Sequence, residues 1–381
     1  MAADLDSADD SGAAPRRVIA HVDADAFYAS VHLLEDPSLA GKPVIVAGRG
    51  ARSIVTTANY EARKFGIGSA QPAARARQLC PHGVFLTPDF ELYRAYSRRA
   101  MSIMRTYSDV IEPLSLDEAY LDVTSVDRPI AHVRAMVDEI RAATGLQYSV
   151  GIGPNKLCAK VLSDFRKPAA FNVASREQCM ELFAGASPRL IPGIGPKTAE
   201  QLEGLGLTTV AAIRDAAPGV LEALFNERRV AELTARARFE HAGIVESQRE
   251  TKSVSEETTF EEDVTDIDEL IWRLGELTAE LCERLGKKGL KGRTIGIKVR
   301  LDDWTNVTRA KTIDDYTGDP LLITELASQL LREYDPPRPV RLLGVRIASF
   351  EGAEAEVAKA KPRTPWEQLQ IPELVQQRGE W

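Results

Sequence analysis

The stretch HVDADAFYASV, residues 21–31, decides how this chain is read. It follows RRVIA, so an apolar run typical of a buried strand abruptly presents Asp23 and Asp25, then passes through Phe27 and Tyr28 into helix-like sequence. Side chains on a strand return to the same face every second residue, so the two acids point the same way while the Ala24 carbonyl lies sideways, available as a ligand. A second acidic interruption of an apolar strand pattern is Asp117 and Glu118 in LSLDEAYLD. One such cluster is ordinarily a solvated strand end. Two in one small sheet are costly unless a cation neutralises them, and hard oxygen donors suit magnesium or manganese. Neither cluster is expected to draw on a histidine or cysteine, which disfavours zinc.

Phosphate-binding groups surround these acids in sequence. The turn at residues 26–28 is expected to leave backbone N–H groups aimed at one spot, an anion site. TTANYEARK supplies Thr57, Tyr60, Arg63 and Lys64 at a helix start, where Tyr60 and Arg63 are three apart and share a face. LSDFRKP adds Lys167. A hydroxyl, a phenol, a guanidinium and an ammonium beside a metal site describe a phosphate clamp, although each alone is most often a surface group.

The 381 residues are 44% hydrophobic and 27% charged, the composition of an ordinary globular chain of two to four domains. No run of apolar residues is long enough to span a bilayer, and the acidic start MAADLDSADDSGAAP reads as a disordered leader over residues 1–16 of a cytoplasmic protein. The four cysteines lack C-x-x-C spacing and read as buried thiols. A net charge of −8 disfavours a polyanionic partner at first sight, yet residues 284–311 hold nine Lys or Arg against Asp302 and Asp303. The total hides a basic face.

Strands and helices mix up to about residue 187 without a regular β-α-β rhythm, which predicts an α+β sheet packed by helices on one face. From 188 to 246 the pattern is short helices broken by glycines, a separate helical module. Within it IPGIGPKTAEQL reads as a helix-hairpin-helix, in which Gly193 and Gly195 allow a tight turn and, with Lys197, can approach a DNA phosphate. Residues 247–259 are polar and read as a linker; residues 260–352 predict a small α+β domain, and 353–381 a flexible tail. In the basic stretch Arg293, Lys298 and Arg300 are expected to line a sheet face, which by itself reads equally as a solvated face or as a surface for a polyanion.

Five segments, VDADAFYASV, TANYEARKFGI, PLSLDEAYLDVT, GIGPNKLCAKVLSDFRKP and IPGIGPKTAEQL, occur in an order that resembles the Y-family translesion DNA polymerases, in particular their bacterial DinB or polymerase IV branch. The resemblance spans about residues 17–350. His32 stands where that family often has Glu. It implies a multidomain right hand of palm (17–187, with fingers inserted at about 33–88), helix-hairpin-helix thumb and little finger. It implies catalysis by Asp23, Asp117 and Glu118, with two Mg²⁺ ions per site, replaceable by Mn²⁺, on those acids and the Ala24 carbonyl. Asp25 matches a position that is not usually a ligand. Phe27, Tyr28, Thr57, Tyr60, Arg63 and Lys167 match the nucleotide-binding positions, with Tyr28 as the steric gate against a ribose 2′-OH. Small fingers residues, Ser53 and Gly68 to Ala70, with Ile54 and Thr56 at the base, imply an open roof and low fidelity. Gln368, Leu369 and Ile371 in the tail resemble a peptide that docks on the sliding clamp. The implied protein is a monomer acting on primer-template DNA and deoxynucleoside triphosphates; a catalytically silent DNA-binding scaffold and, more distantly, a two-metal nuclease are the other readings.

Overall fold

The structure is a computed structural model that describes residues 17–248 and 250–352, which form two compact units divided at that point. The leader 1–16 and the tail 353–381, including Gln368, Leu369 and Ile371, lie outside the described residues.

The first unit opens with β1 (Ile19–Ala24) and α1 (Phe27–Glu35). A small lobe follows, made of β2 (Val44–Ala47), β3 (Val55–Ala58), α2 (Tyr60–Arg63), α3 (Ala73–Leu79) and β4 (Val84–Leu86). The chain then forms α4 (Phe90–Tyr107), β5 (Ile111–Pro113), β6 (Glu118–Asp122), α5 (Pro129–Thr144), β7 (Tyr148–Gly153), α6 (Lys156–Asp164) and β8 (Phe171–Val173). Four helices, α7 (Arg176–Leu182), α8 (Pro196–Gly204), α9 (Val210–Arg214) and α10 (Glu227–Ala237), complete it. The second unit is β9 (Ser253–Val264), α11 (Ile267–Lys287), β10 (Gly292–Leu301), β11 (Asn306–Thr317), α12 (Pro320–Tyr334) and β12 (Val340–Phe350).

The central sheet has the order β5-β6-β1-β7-β8, with β1 antiparallel to both β6 and β7. Being central, β1 is buried along almost its whole length, which is why IAHV reads as a continuous apolar run. Val18, Ala20 and Val22 join Val150 and Ile152 of β7 against Met101 and Met104 of α4 and Met136 and Ile140 of α5. The opposite face was expected to be bare. Instead α6 lies on it so closely that a Cβ on Gly151 would come within 2.1 Å of the Ala159 carbonyl oxygen. Glycine in β7 thus admits a helix to the second face, and α6 brings its polar side chains over the ends of β1 and β6.

The small lobe is a three-stranded sheet, β3-β2-β4, with its own apolar cluster of Ile45, Val55, Ala62, Ala73 and Ala76. The helical module has a core that reaches back further than residue 188: Cys179 and Phe183, with Cys158 and Leu162 of α6, pack against Leu202, Leu233 and Phe239. Short helices without a sheet bury enough surface only by sharing α6, so α7 belongs with this module.

In the second unit the sheet order is β11-β10-β12-β9, antiparallel throughout. Leu270, Leu274, Leu277, Leu281 and Leu285 make one apolar stripe along α11, each contributing about 2 kcal/mol on burial. They pack with Ile323, Leu326 and Leu330 of α12 on Ile295, Ile297, Val299, Val345 and Ile347. The linker expectation is corrected here: residues 253–259 are the first half of edge strand β9. Only Val254 and Phe260 are fully buried among its twelve residues, because an edge strand needs one narrow apolar contact and is otherwise polar.

Candidate active site

Register brings the acids together. In the β1–β6 ladder Asp23 lies opposite Glu118, and one residue on the Ala24 N–H donates to the Asp117 carbonyl at 3.0 Å. Asp23 and the adjacent pair Asp117 and Glu118, more than ninety residues further along the chain, therefore meet at one end of the sheet. Burial pushes the Asp117 carboxyl above the usual range, and the neighbouring Asp23 and Glu118 charges add to that push against a bond from Ser115.

α6 supplies cations. Lys160 Nζ sits 3.0 Å from Asp23 Oδ2 and 2.9 Å from Glu118 Oε2, with Asp164 at 3.5 Å. Lys167 Nζ lies 2.7 Å from the other Asp23 oxygen and 2.9 Å from Asp164. Burial opposes both ammonium charges, but the surrounding carboxylates outweigh it and hold both lysines above their usual range. The expectation that no histidine approaches the acids is corrected: His21, on the same strand face as Asp23, places Nε2 3.3 Å from Glu118. Its Nδ1 meets Ser163 Oγ at 2.8 Å, and burial lowers its pKa, which favours the neutral ring. Contact with His21, then the Lys160 charge, hold Glu118 at about 2.

Donor atoms of His21, Asp23 and Glu118 lie within 4.8 Å of one another. With Asp117 and the Ala24 carbonyl nearby, the set is dominated by carboxylate oxygen, and the four acids Asp23, Asp117, Glu118 and Asp164 face the two lysines Lys160 and Lys167. Those residues fit a hard divalent cation.

Tyr28 opens α1 beside this cluster. Its ring centroid is 4.5 Å from Tyr93, 5.3 Å from Phe27 and 5.9 Å from Phe90, and Tyr93 is held in turn by His32 Nε2 at 2.7 Å. Burial and the Asp117 charge raise the Tyr28 pKa, so the phenol stays neutral. No side chain caps the first turn of α1, preceded by Ala26 at φ 49°.

From the small lobe, Thr57 is buried on β3, and Arg63 lies 4.7 Å over the Tyr60 ring while its Nε donates to the Ala58 carbonyl. Tyr60 Oη donates to Asp25 Oδ1 at 3.2 Å. Asp25 itself turns away from the metal candidates: it is buried and accepts from Ser149 Oγ and the Ala169 N–H. Ile54 is 54% exposed.

The nucleic-acid candidates divide. Gly193 has φ 86°, and a Cβ there would strike the Arg236 guanidinium. Arg229 donates to the Gly193 carbonyl and Arg236 to that of Pro192, bracing the hairpin; exposed Lys197 follows in the first turn of α8. Lys298 and Arg300 share the helix-free face of the second sheet. Arg293 does not share their alternation, because it lies five residues before Lys298, an odd spacing on a strand of period two, and its guanidinium lies 5.7 Å from the Tyr316 ring.

Lys160, His21, Arg229 and Arg236 escaped the sequence reading. Only Lys160 left a signal there, one helical turn before Asp164 in NKLCAKVLSDFRK.

Residues 22–164 match the impB/mucB/samB family, and residues 251–360 match the C-terminal domain of that family. The chain is 40% identical over 345 residues to the DNA polymerase IV of Methanoculleus marisnigri, covering 88% of this chain and 95% of that protein. It is 40% identical over 350 residues to the DNA polymerase IV of Xanthomonas campestris pv. campestris, with 90% and 96% covered. With the DNA polymerase IV of Streptomyces coelicolor it shares 39% identity over 338 residues, 87% of this chain and 71% of the other. Among solved structures it superimposes on a Y-family DNA polymerase chimera with a TM-score of 0.77 at 27% identity, covering 87% of this chain and 98% of that one.

Proposed function

This chain belongs to the Y family of DNA polymerases, in the branch named DNA polymerase IV, and we propose from its site how it lengthens a primer. It is a template-directed, lesion-bypass DNA polymerase whose phosphoryl transfer depends on divalent metal. One observation carries the assignment of the site: the β1–β6 register sets Asp23 against Glu118 with Asp117 alongside, and Lys167 reaches the same Asp23.

We assign two magnesium ions, replaceable by manganese, to Asp23, Asp117, Glu118 and the Ala24 carbonyl. When bound, they would supply the charge that lowers the pKa of the primer 3′-hydroxyl and neutralises the departing pyrophosphate. The chain does the rest. Lys167, Arg63, Tyr60 and Thr57, with the uncapped N–H groups in the first turn of α1, bind the triphosphate as hydrogen-bond donors. Tyr28, held by its aromatic neighbours, occupies the space a 2′-OH needs and so selects deoxynucleotides by exclusion. Lys160 and His21 orient Asp23 and Glu118. Exposed Ile54 among small residues supports an open roof over the nascent pair, hence low fidelity and a mutator character in DNA repair.

Gly193, Gly195 and Lys197 in the thumb, and Lys298 and Arg300 in the little finger, are assigned to the DNA backbone, contacts that position without reading sequence. The enzyme acts as a cytoplasmic monomer. No helix among the described residues is long and apolar enough to cross a membrane. Gln368, Leu369 and Ile371 are assigned to the sliding clamp: deleting 353–381 should leave unassisted extension intact and remove stimulation by the clamp, and equal stimulation of the shortened chain discards that assignment.

The decisive test is single-nucleotide primer extension by the purified chain and its Asp117→Ala variant with magnesium. Activity of the native chain should fall at least about 1,000-fold in the variant. Comparable extension by both overturns the site.

A further inference from the structure

Asp25 is a buried carboxylate that the chemistry above does not use. It is 4% exposed, yet none of its donors is charged. Ser149 Oγ lies 2.8 and 3.0 Å from its two oxygens, the Ala169 N–H 2.8 Å from Oδ2, and Tyr60 Oη 3.2 Å from Oδ1. A carboxylate withdrawn from water must find hydrogen-bond donors within the protein, and here donors reach both oxygens.

The origin of the donors is informative. Ser149 belongs to β7 of the palm, and its hydroxyl also accepts from the Ala170 N–H at 3.1 Å. Tyr60 begins α2 of the fingers. Ala169 lies two residues after Lys167, in the loop that carries that lysine toward Asp23. Two of the three donors therefore belong to, or adjoin, groups assigned to the triphosphate, and they lie more than a hundred residues apart along the chain. Burial and the Asp25 charge raise the Tyr60 pKa, keeping its phenol protonated and able to donate. Asp23 and Asp25 share a strand face in sequence, but one is tied to lysines and the other to neutral donors.

We propose that Asp25 is a positioning residue for the nucleotide: its carboxylate fastens Tyr60 of the fingers and the Lys167 loop of the palm to β7, fixing the spacing of the triphosphate clamp. It touches neither metal nor substrate. This rests on the reading of Tyr60 and Lys167 as triphosphate ligands. Asn at this position keeps the shape but puts an N–H₂ where one oxygen stood, so the Tyr60 bond to Oδ1 and the Ala169 bond to Oδ2 cannot both survive.

Single-nucleotide insertion on a primer-template should show Asp25→Asn raising KM for the dNTP about tenfold with kcat within about threefold. The magnesium concentration for half-activity should be unchanged. In a Tyr60→Phe background the same change should raise KM less than about threefold, because part of the link is already gone. Ser149→Ala, which removes one donor and leaves Asp25 in place, should raise KM about threefold and decides the matter if Asp25→Asn does not fold. A native KM in either folded variant, a fall in kcat and melting temperature without a change in KM, or a shift in magnesium requirement overturns the proposal. Asp117→Ala separates the two claims: if it still extends primers the assignment of the active site fails, and if it is inactive while Asp25→Asn keeps the native KM only the role of Asp25 fails.

Discussion

Two sheets in this molecule present a face with charged side chains, the palm at the ends of β1 and β6 and the little finger across β10, β12 and β9. On the palm, Asp23 and Glu118 are 14% and 24% exposed and share Lys160. On the little finger, Lys298 and Glu257 are 35% and 45% exposed and share only each other, at 2.8 Å. The difference lies in what covers them. A glycine on β7 draws α6 onto the palm, so its charges lose water and are forced into mutual contact; the little-finger face has no such helix, and water screens each charge. Withdrawal from solvent gives the palm acids strong coupling, the condition for holding a metal, whereas solvated charges remain free to meet a phosphate.

That contrast can be broken most directly through Lys160. Lys160→Met leaves Asp23 and Glu118 short of a partly buried counter-charge and should cost the metal-free chain roughly 2 kcal/mol, about thirtyfold in the folding equilibrium. Lys298→Met should cost less than about 0.5 kcal/mol. Urea unfolding in EDTA measures both, and added magnesium should recover much of the Lys160 loss by supplying the missing positive charge. Equal losses at the two positions would mean that α6 does not set the palm apart.

The same contrast explains what the sequence could tell. The acids were legible because a strand has a period of two and Asp23, Asp117 and Glu118 interrupt apolar runs. The stripe of α11 was legible from its leucine spacing. His21 was not, since its nearness to Glu118 depends on which strand pairs with β1, a contact between residues 97 apart in the chain. Nor was the second helix layer, which turns on Gly151 lying under α6. The start of β9 escaped because SVSEETTF carries too little apolar surface to differ from a linker until β12 pairs with it. Arg293 misled because it stands an odd number of residues from Lys298 and Arg300, so a strand of period two does not give it their face.

Tyr28 offers a sharper comparison within the palm itself, since its ring is fixed by apolar packing and not by charge. Tyr28→Ala should raise ribonucleotide insertion relative to deoxynucleotide about tenfold or more, about 1.4 kcal/mol upward. His32→Ala, which removes the partner of Tyr93 and loosens the ring beneath Tyr28, should raise it only about two- to threefold. Unchanged sugar discrimination in Tyr28→Ala ends its assignment as the gate.

The smallest effect belongs to the little finger, where it also tests whether its charges act singly. Gly344 stands between Lys298 and Glu257, in register with both, and a Cβ there would come within 2.8 Å of the Glu257 Cβ. Its missing side chain lets the lysine reach across β12 to its acid. A duplex phosphate must then compete with Glu257 for Lys298. Glu257→Gln should accordingly tighten primer-template binding about twofold at low salt, and Lys298→Ala should weaken it about two- to threefold while lowering the salt slope by about one. Fluorescence anisotropy over a salt series reads both. If Glu257→Gln weakens binding instead, the pair serves to hold Lys298 in place, and the little finger positions its cations much as the palm positions its acids.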